Sequence, residues 1–245
     1  MIYAIVVKNI VKTFKIYCDK GYSLKEKILF WHRNDYEKRM VLKGVSFYVR
    51  KGSAVALIGK NGSGKSTMLK LLSKIIYPDS GTIEVNGRVV SLIELGAGFH
   101  PDMTGRENIY INASIFGLTH KEINKKIDEI INFSELNNFI DNPVRTYSSG
   151  MYMRLAFAVA INVSADILLI DEILAVGDIS FQEKCYKKLQ EVKQHGTTLI
   201  IVSHDLKQIE TICDTSIWLE NGVVKEIGEP AEIHALYLKN TLSNA

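Results

Sequence analysis

Cysteine is scarce. The three present, Cys18, Cys185 and Cys213, are far apart and odd in number. No CxxC pair exists, so neither a disulfide framework nor a zinc site is indicated, and a reducing cytosol fits. Long apolar runs are also missing. None approaches the ~18 residues that cross a bilayer, so membrane contact is expected only through a partner. The apolar N-terminus, MIYAIVVKNIVKTF, is too short for a signal-peptide core, is interrupted by Lys8 and Lys12, and alternates as a strand does. Charge of one sign is lacking too. The net charge is +3, so electrostatics alone give no argument for nucleic-acid binding. Lys and Arg are densest between Lys20 and Arg50, a stretch that reads as solvated surface or as a partner or headgroup contact. No internal repeat or low-complexity segment occurs.

What remains is an ordinary globular composition, 47% apolar and 23% charged over 245 residues. That length buries a sizeable core in one large domain or two lobes. Strands are expected at 2–8, 41–50 and 53–58, with a polar, aromatic and basic insertion at 17–39 holding a short helix near 23–31. A glycine-rich turn then leads into a helix ending near Lys74. Strands at 82–85 and 88–92 flank Asn86-Gly87, and strands at 217–219 and 223–227 flank Asn221-Gly222; both dipeptides predict hairpins. Between about 101 and 163 the pattern is helical. Ile123, Ile127, Ile130 and Ile131 line one face of a helix over 122–133, and a more apolar helix follows at 150–163. Continuous apolar strands at 167–170 and 197–202 are of the kind buried on both faces of a parallel sheet. Helices are expected at 181–193 and 206–213 and from about Pro230. Alternating strands and helices make an α/β domain with a mainly parallel sheet, an antiparallel margin and an inserted helical segment.

The run Gly59-Lys60-Asn61-Gly62-Ser63-Gly64-Lys65-Ser66-Thr67 fits G-x-x-x-x-G-K-[ST] between a strand and a helix, the phosphate-binding P-loop pattern. Its glycines let backbone N–H groups turn inward around phosphates, and the helix beginning near Lys65 offers its positive dipole end. Lys65 supplies a point charge to the β- and γ-phosphates of ATP, and Ser66 is a hard oxygen ligand for Mg²⁺. Ile167-Leu168-Leu169-Ile170 delivers Asp171 and Glu172 at a strand's carboxyl end, where α/β sheets place ligands. Asp171 is the candidate metal residue and Glu172 the candidate for polarising the attacking water. His204 follows another buried strand, within hydrogen-bonding reach of a γ-phosphate.

Tyr147-Ser148-Ser149-Gly150-Met151, followed by Arg154 and an apolar helix, resembles the signature motif of ABC transporter ATPases. It lies between the P-loop and the Asp171-Glu172 strand, as in that family, and the resemblance covers nearly the whole chain. Ala175-Val176-Gly177-Asp178 looks like the family's D-loop, and His204 stands where it has a switch histidine. The resemblance implies an ABC-type P-loop NTPase. Its RecA-like lobe is expected at 1–99 and 164–230, its helical lobe at 100–163, and a short C-terminal helix or tail at 231–245. It also implies a head-to-tail homodimer, in which Ser148, Ser149 and Gly150 of one copy bind the γ-phosphate held by the P-loop of the other. The adenine platform is expected at Phe14, with Tyr17 as the alternative.

The chain departs from the family pattern. Signature position three is Ser149 instead of Gly, and position five is Met151 instead of Gln. The Gln of the loop entering the helical lobe is missing, and Glu94 is the candidate for its nucleotide- and metal-sensing role. Glu94-Leu95-Gly96-Ala97-Gly98-Phe99-His100-Pro101, Thr104-Gly105-Arg106-Glu107-Asn108-Ile109-Tyr110, Tyr147–Met151 and Leu174–Asp178 closely resemble the ATPases that export lipid-linked O-antigen, capsule or teichoic acid, and the insertion before the P-loop also fits that group. The resemblance implies a peripheral subunit on the cytoplasmic face, docked on a polytopic transmembrane partner. Ending at Ala245, the chain resembles the short form without a C-terminal carbohydrate-binding domain, or a truncation before it. Importers and drug exporters share the architecture and are the alternative. A soluble ABC protein acting on ribosomes or DNA, and a small-molecule P-loop kinase, lie further off.

Overall fold

The computed structural model describes residues 2–17, 36–93, 95–171, 177–203 and 205–243. Among the described residues nine strands form two sheets. A three-stranded antiparallel sheet has the order β2-β1-β4, from β1 (Tyr3–Tyr17), β2 (Tyr36–Arg50) and β4 (Ser80–Val85). A six-stranded sheet has the order β5-β6-β7-β3-β8-β9, from β3 (Ala54–Ile58), β5 (Val89–Ser91), β6 (Ile167–Asp171), β7 (Thr198–Val202), β8 (Thr215–Glu220) and β9 (Val223–Gly228). Only β9 runs antiparallel in it. The expected mainly parallel sheet with an antiparallel margin is therefore present.

Seven helices surround the sheets among the described residues: α1 (Lys65–Leu72), α2 (Gly105–Ile115), α3 (His120–Ser134), α4 (Ser149–Asn162), α5 (Ile179–Gln194), α6 (Leu206–Ile212) and α7 (Pro230–Ser243). Capping boxes start α2 and α3. Thr104 and Glu107 exchange side-chain and backbone bonds, and Thr119 and Glu122 do the same.

The central strands alternate between two cores. Ala54, Ala56, Ile58, Leu168, Ile170, Leu199 and Ile201 face the helices, whereas Val55, Leu57, Ile167, Leu169, Ile200 and Val202 face α1 and the three-stranded sheet. Continuous apolar strands are what burial on both faces requires. The helical segment has no separate core, because Ile109, Ile123, Ile130 and Phe157 share one cluster with the sheet.

Two sequence expectations change. The first strand does not end at residue 8 but runs to Tyr17. Asn9 takes a left-handed φ of +50° at an irregularity in the β1–β2 register, and the pairing then resumes. Consequently residues 36–39 belong to β2 instead of an insertion. The helix expected near 23–31, and Cys18, lie outside the described residues.

The Asn86-Gly87 hairpin is absent. Strand β4 pairs with β1 in one sheet, and β5 pairs in parallel with β6 in the other. A two-residue type I′ turn needs positive φ at both central residues. Asn221 (+51°) and Gly222 (+84°) satisfy this and form the β8–β9 hairpin, whereas at 86–87 only Gly87 is positive, at +132°. The flanking groups are engaged separately. Asn86 N–H donates to the Ala4 carbonyl at 2.8 Å, and Arg88 N–H donates to Asp166 Oδ2 at 2.8 Å. Gly87 is thus the crossing point between sheets, and a Cβ there would sit 2.5 Å from Asp166 Cβ. Gly87→Ala is expected to cost ~1–3 kcal/mol, as other strained backbone positions do. A urea midpoint indistinguishable from wild type would refute this.

Candidate functional site

Strand β3 is buried along its whole length and ends at Ile58. The chain then turns through Gly59, Gly62 and Gly64, at φ +147°, +80° and +110°. A Cβ on Gly59 would collide with the Leu219 carbonyl oxygen, and one on Gly64 would meet Leu42 Cδ2 at 2.6 Å. Glycine is thus required twice, for conformation and for space. Helix α1 begins at Lys65 with no side-chain cap, so its leading N–H groups face the loop unclaimed by a side chain. Lys65 is 6% exposed, and its Nζ donates to the Gly59 and Lys60 carbonyls at 2.7 and 3.2 Å. Ser63 Oγ is buried without a hydrogen-bond partner among the described residues.

A cleft of about 420 Å³ opens above this loop, lined by Asn61, Gly62, Gly64, Lys65, Ser66 and Thr67 and, on the other wall, Phe14, Ile16, Arg39 and Val41. That wall is the far part of the β1–β2 ribbon, past the last pairing of β1 with β4 at Val11–Ser80. Asp79 anchors its base, accepting from Lys12 Nζ at 2.9 Å and Thr13 N–H at 2.6 Å; the Lys12 bond is the main reason its carboxyl is held below the ordinary value. Phe14 therefore stands over the P-loop, and Tyr17 closes β1 opposite Tyr36. Arg39, Ile16 and Val41 were not singled out in the sequence. The signal that would have found them is the β1–β2 register, which pairs Phe14 with Arg39.

The parallel sheet aligns the remaining groups. Leu57, Val202 and Asp171 share one level of the register, so Asp171 ends β6 two strands from the P-loop strand, or about 10 Å at ordinary strand spacing. Ser91 ends β5 beside β6, which brings the loop from residue 92 to the same edge. Glu94, Glu172 and His204 lie outside the described residues; their described neighbours Ile93, Asp171 and Ser203 all leave strands of this edge.

The cleft suits a nucleoside polyphosphate, because its glycine cradle and open helix end present backbone donors beside a lysine. The oxygen donors near it, the exposed Ser66 hydroxyl and the Asp171 carboxylate, are of the hard type that Mg²⁺ prefers. Among the described residues no cluster of three His, Cys, Asp or Glu side chains offers an all-protein metal cage.

Ser148, Ser149 and Gly150 are not in the cleft lining. Ser148 is the N-cap of α4, its Oγ accepting from Met151 N–H at 3.2 Å, and Ser149 and Gly150 open that helix. Farther along α4, Tyr152 donates its hydroxyl proton to the Gly96 carbonyl at 2.7 Å, tying the helix to the loop after residue 94. Arg154 ties it to α5. Its guanidinium bonds Glu135 and Asp178, both at 2.8 Å, and lies 4.8 Å from the Phe181 ring centroid. Asp178 also caps α5, accepting from Phe181 N–H at 2.9 Å and Ser180 Oγ at 2.7 Å. Within this chain Asp178 thus serves the helix end and Arg154 and does not line the cleft.

The model of the ABC transporter family matches residues 42–175, more than half the chain. The chain belongs to the ABC transporter family. The matched span holds the P-loop, Ser148–Gly150 and Asp171, and leaves out Phe14, Arg39 and Asp178. Among curated relatives, an O-antigen export system ATP-binding protein RfbB of Klebsiella pneumoniae is 47% identical over 94% of this chain and 95% of its own length. A Myxococcus xanthus protein of the same name is 49% identical over 96% of this chain, which spans 55% of that relative's length. A teichoic acids export ATP-binding protein TagH of Lactococcus lactis is 43% identical over 94% of this chain and 49% of its own. Among solved structures, an ATP-binding subunit of an ABC transporter superposes with a TM-score of 0.76 at 24% identity, covering 96% of this chain and 93% of the other. A dimeric ATP-binding cassette bound to ADP and Pi superposes with a TM-score of 0.73 at 22% identity, covering 92% and 98%. These two establish the shared fold.

The Phe181 N–H bond, then the Ser180 hydroxyl and Arg154, hold the Asp178 carboxyl below its ordinary value of 3.8. A lowered pKa stabilises the fold above that ordinary value, and the increment is lost as pH falls through the lowered one. Asp178→Ala should therefore lower the urea midpoint at pH 7 and narrow its gap to wild type at acid pH. Asp178→Asn, which still caps a helix, should recover part of the loss. An Ala variant as stable as wild type at pH 7 would show that the cap contributes nothing.

Proposed function

We propose that this chain is the ATP-hydrolysing subunit of an ABC transporter that exports a lipid-linked polysaccharide, of the O-antigen, capsule or teichoic acid class. The observation that carries the reading is the 47% identity to an O-antigen export ATP-binding protein over 95% of that protein's length, together with an open P-loop cleft walled by Phe14. Among the described residues no helix is long and apolar enough to cross a membrane. In this reading a polytopic transmembrane subunit couples the chain to transport, with the chain peripheral to it on the cytoplasmic face. The relatives' names support a transmembrane partner, and the dimeric neighbour supports a homodimer.

In this reading residues 1–99 and 164–230 form the nucleotide lobe and 100–163 the helical lobe, with a C-terminal helix or tail at 231–245. Phe14 stacks on the adenine, with Tyr17 the alternative. The backbone from Gly59 to Thr67 wraps the phosphates. The Lys65 ammonium exchanges its bonds to the Gly59 and Lys60 carbonyls for phosphate oxygens. Ser66, Asp171 and Glu94 would hold Mg²⁺, which would supply neutralisation of phosphate charge. Glu172 accepts the proton of the water that attacks the γ-phosphorus as the bond to ADP breaks. His204 donates to the γ-phosphate. Ser148, Ser149 and Gly150 of a second copy close over the same phosphate with the leading N–H groups of α4. Hydrolysis removes that bridge, so the open–closed equilibrium follows the nucleotide.

Glu172→Gln should keep ATP binding and lose turnover by ~10²–10⁴-fold, the usual contribution of a positioned base. It should also trap an ATP-bound dimer visible by size exclusion; wild-type turnover in this variant would remove Glu172 from the water-polarising role. Ser148→Arg should abolish turnover while each monomer still binds ATP, and full activity in a strictly monomeric preparation would exclude the shared site. In cells, Lys65→Ala should leave lipid-linked polysaccharide on the cytoplasmic side. Unchanged surface polysaccharide in that strain would exclude the export assignment.

A further inference from the structure

We infer that Arg39 is a nucleotide-binding residue of this chain, holding the phosphate groups of ATP from the wall opposite the P-loop. The inference rests on the ATP-site reading above and adds a cation that neither the P-loop pattern nor the matched family span contains.

The placement follows from strand pairing. Phe14 and Arg39 are direct partners in the antiparallel β1–β2 register, and direct partners project from the same face. Both line the cleft above the P-loop. The Arg39 side chain reaches the loop itself, where Nη2 lies 3.8 Å from the position a Cβ on Gly62 would occupy. Arg39 also borders a second, polar cleft with Lys60, Ser63 and Lys225, so it forms a ridge between the two.

Charge accounting points the same way. Among the described residues Arg39 has no carboxylate or other hydrogen-bond partner. Two other cations of the ribbon are engaged. Lys12 is paired with Asp79, and Lys15 lies 4.5 Å over the Tyr36 ring. A guanidinium is charged at every physiological pH and carries five donors arranged to grip phosphate oxygens. In a cleft whose floor is a glycine cradle, the group that would satisfy those donors is an anionic polyphosphate. Lys65 holds it from the loop side and Arg39 from the ribbon side. Because the ribbon also carries Phe14, one structural element would read both ends of the nucleotide, the base through the ring and the phosphates through the charge.

The test is equilibrium binding of ATP, ADP and adenosine to the purified full chain without divalent metal, for wild type, Arg39→Gln, Arg39→Lys and Arg39→Glu. Lys65→Ala serves as the reference variant, and circular dichroism confirms each fold. Losing a charge-assisted contact should weaken ATP by about tenfold in Arg39→Gln, and charge reversal in Arg39→Glu should weaken it further. Arg39→Lys, which keeps the charge and loses the fork, should bind ATP with an affinity between those of wild type and Arg39→Gln. Adenosine affinity should not change. The salt dependence of ATP binding should be shallower in Arg39→Gln than in wild type. ATP affinity within about twofold of wild type in Arg39→Gln, or an equal loss for adenosine, overturns the assignment. The two readings separate cleanly. If wild type binds ATP, Lys65→Ala does not, and Arg39→Gln is unchanged, only the Arg39 inference falls. If folded wild type binds no ATP, the site reading falls and takes Arg39 with it.

Discussion

Strands β3, β6 and β7 are apolar on both faces, so they must be covered twice, by helices on one side and by α1 and the antiparallel sheet on the other. Polar groups then have one place to emerge, the ends of the strands. Parallel pairing puts all the carboxyl ends on one edge, and there stand the P-loop after Ile58, Asp171 at the end of β6 and Ser203 after β7. The alignment is a consequence of burial and strand direction, and it needs no direct contact among the functional side chains.

The helical segment joins this frame through a few polar contacts as well as a shared core. Tyr152 holds the loop at Gly96, and Arg154 holds Glu135 and Asp178. Both tyrosine and arginine lie on the helix that Ser148 caps, so any rotation of that helix must strain or break these bonds. The group proposed to meet a second copy's phosphate is in this way mechanically linked to two loops that border the nucleotide edge.

Much of this was legible beforehand. The nine residues from Gly59 to Thr67 announce a phosphate cradle because the steric demands on them are local: glycine where φ is positive, lysine and serine where a helix begins. The apolar strand before Asp171 was equally plain. The two Asn-Gly dipeptides mark the limit of such reading. Asn221-Gly222 joins adjacent strands, and Asn86-Gly87 carries the chain from one sheet to another. The difference lies in Ala4 and Asp166, remote residues that claim the flanking N–H groups, and no local pattern contains them. Asn9 shows the opposite error, a local break that tertiary pairing bridges.

By itself the sequence determined the class of chemistry, since a P-loop, a strand that ends on Asp171 and a helix capped by Ser148 are local arrangements whose geometry neighbours in the chain enforce. Tertiary structure alone decided what surrounds them. It brought Phe14 and Arg39 over the P-loop, because cross-strand register depends on residues more than twenty positions apart. It also turned Asp178 toward a helix cap and Arg154, because a carboxylate takes the donors that folding places beside it.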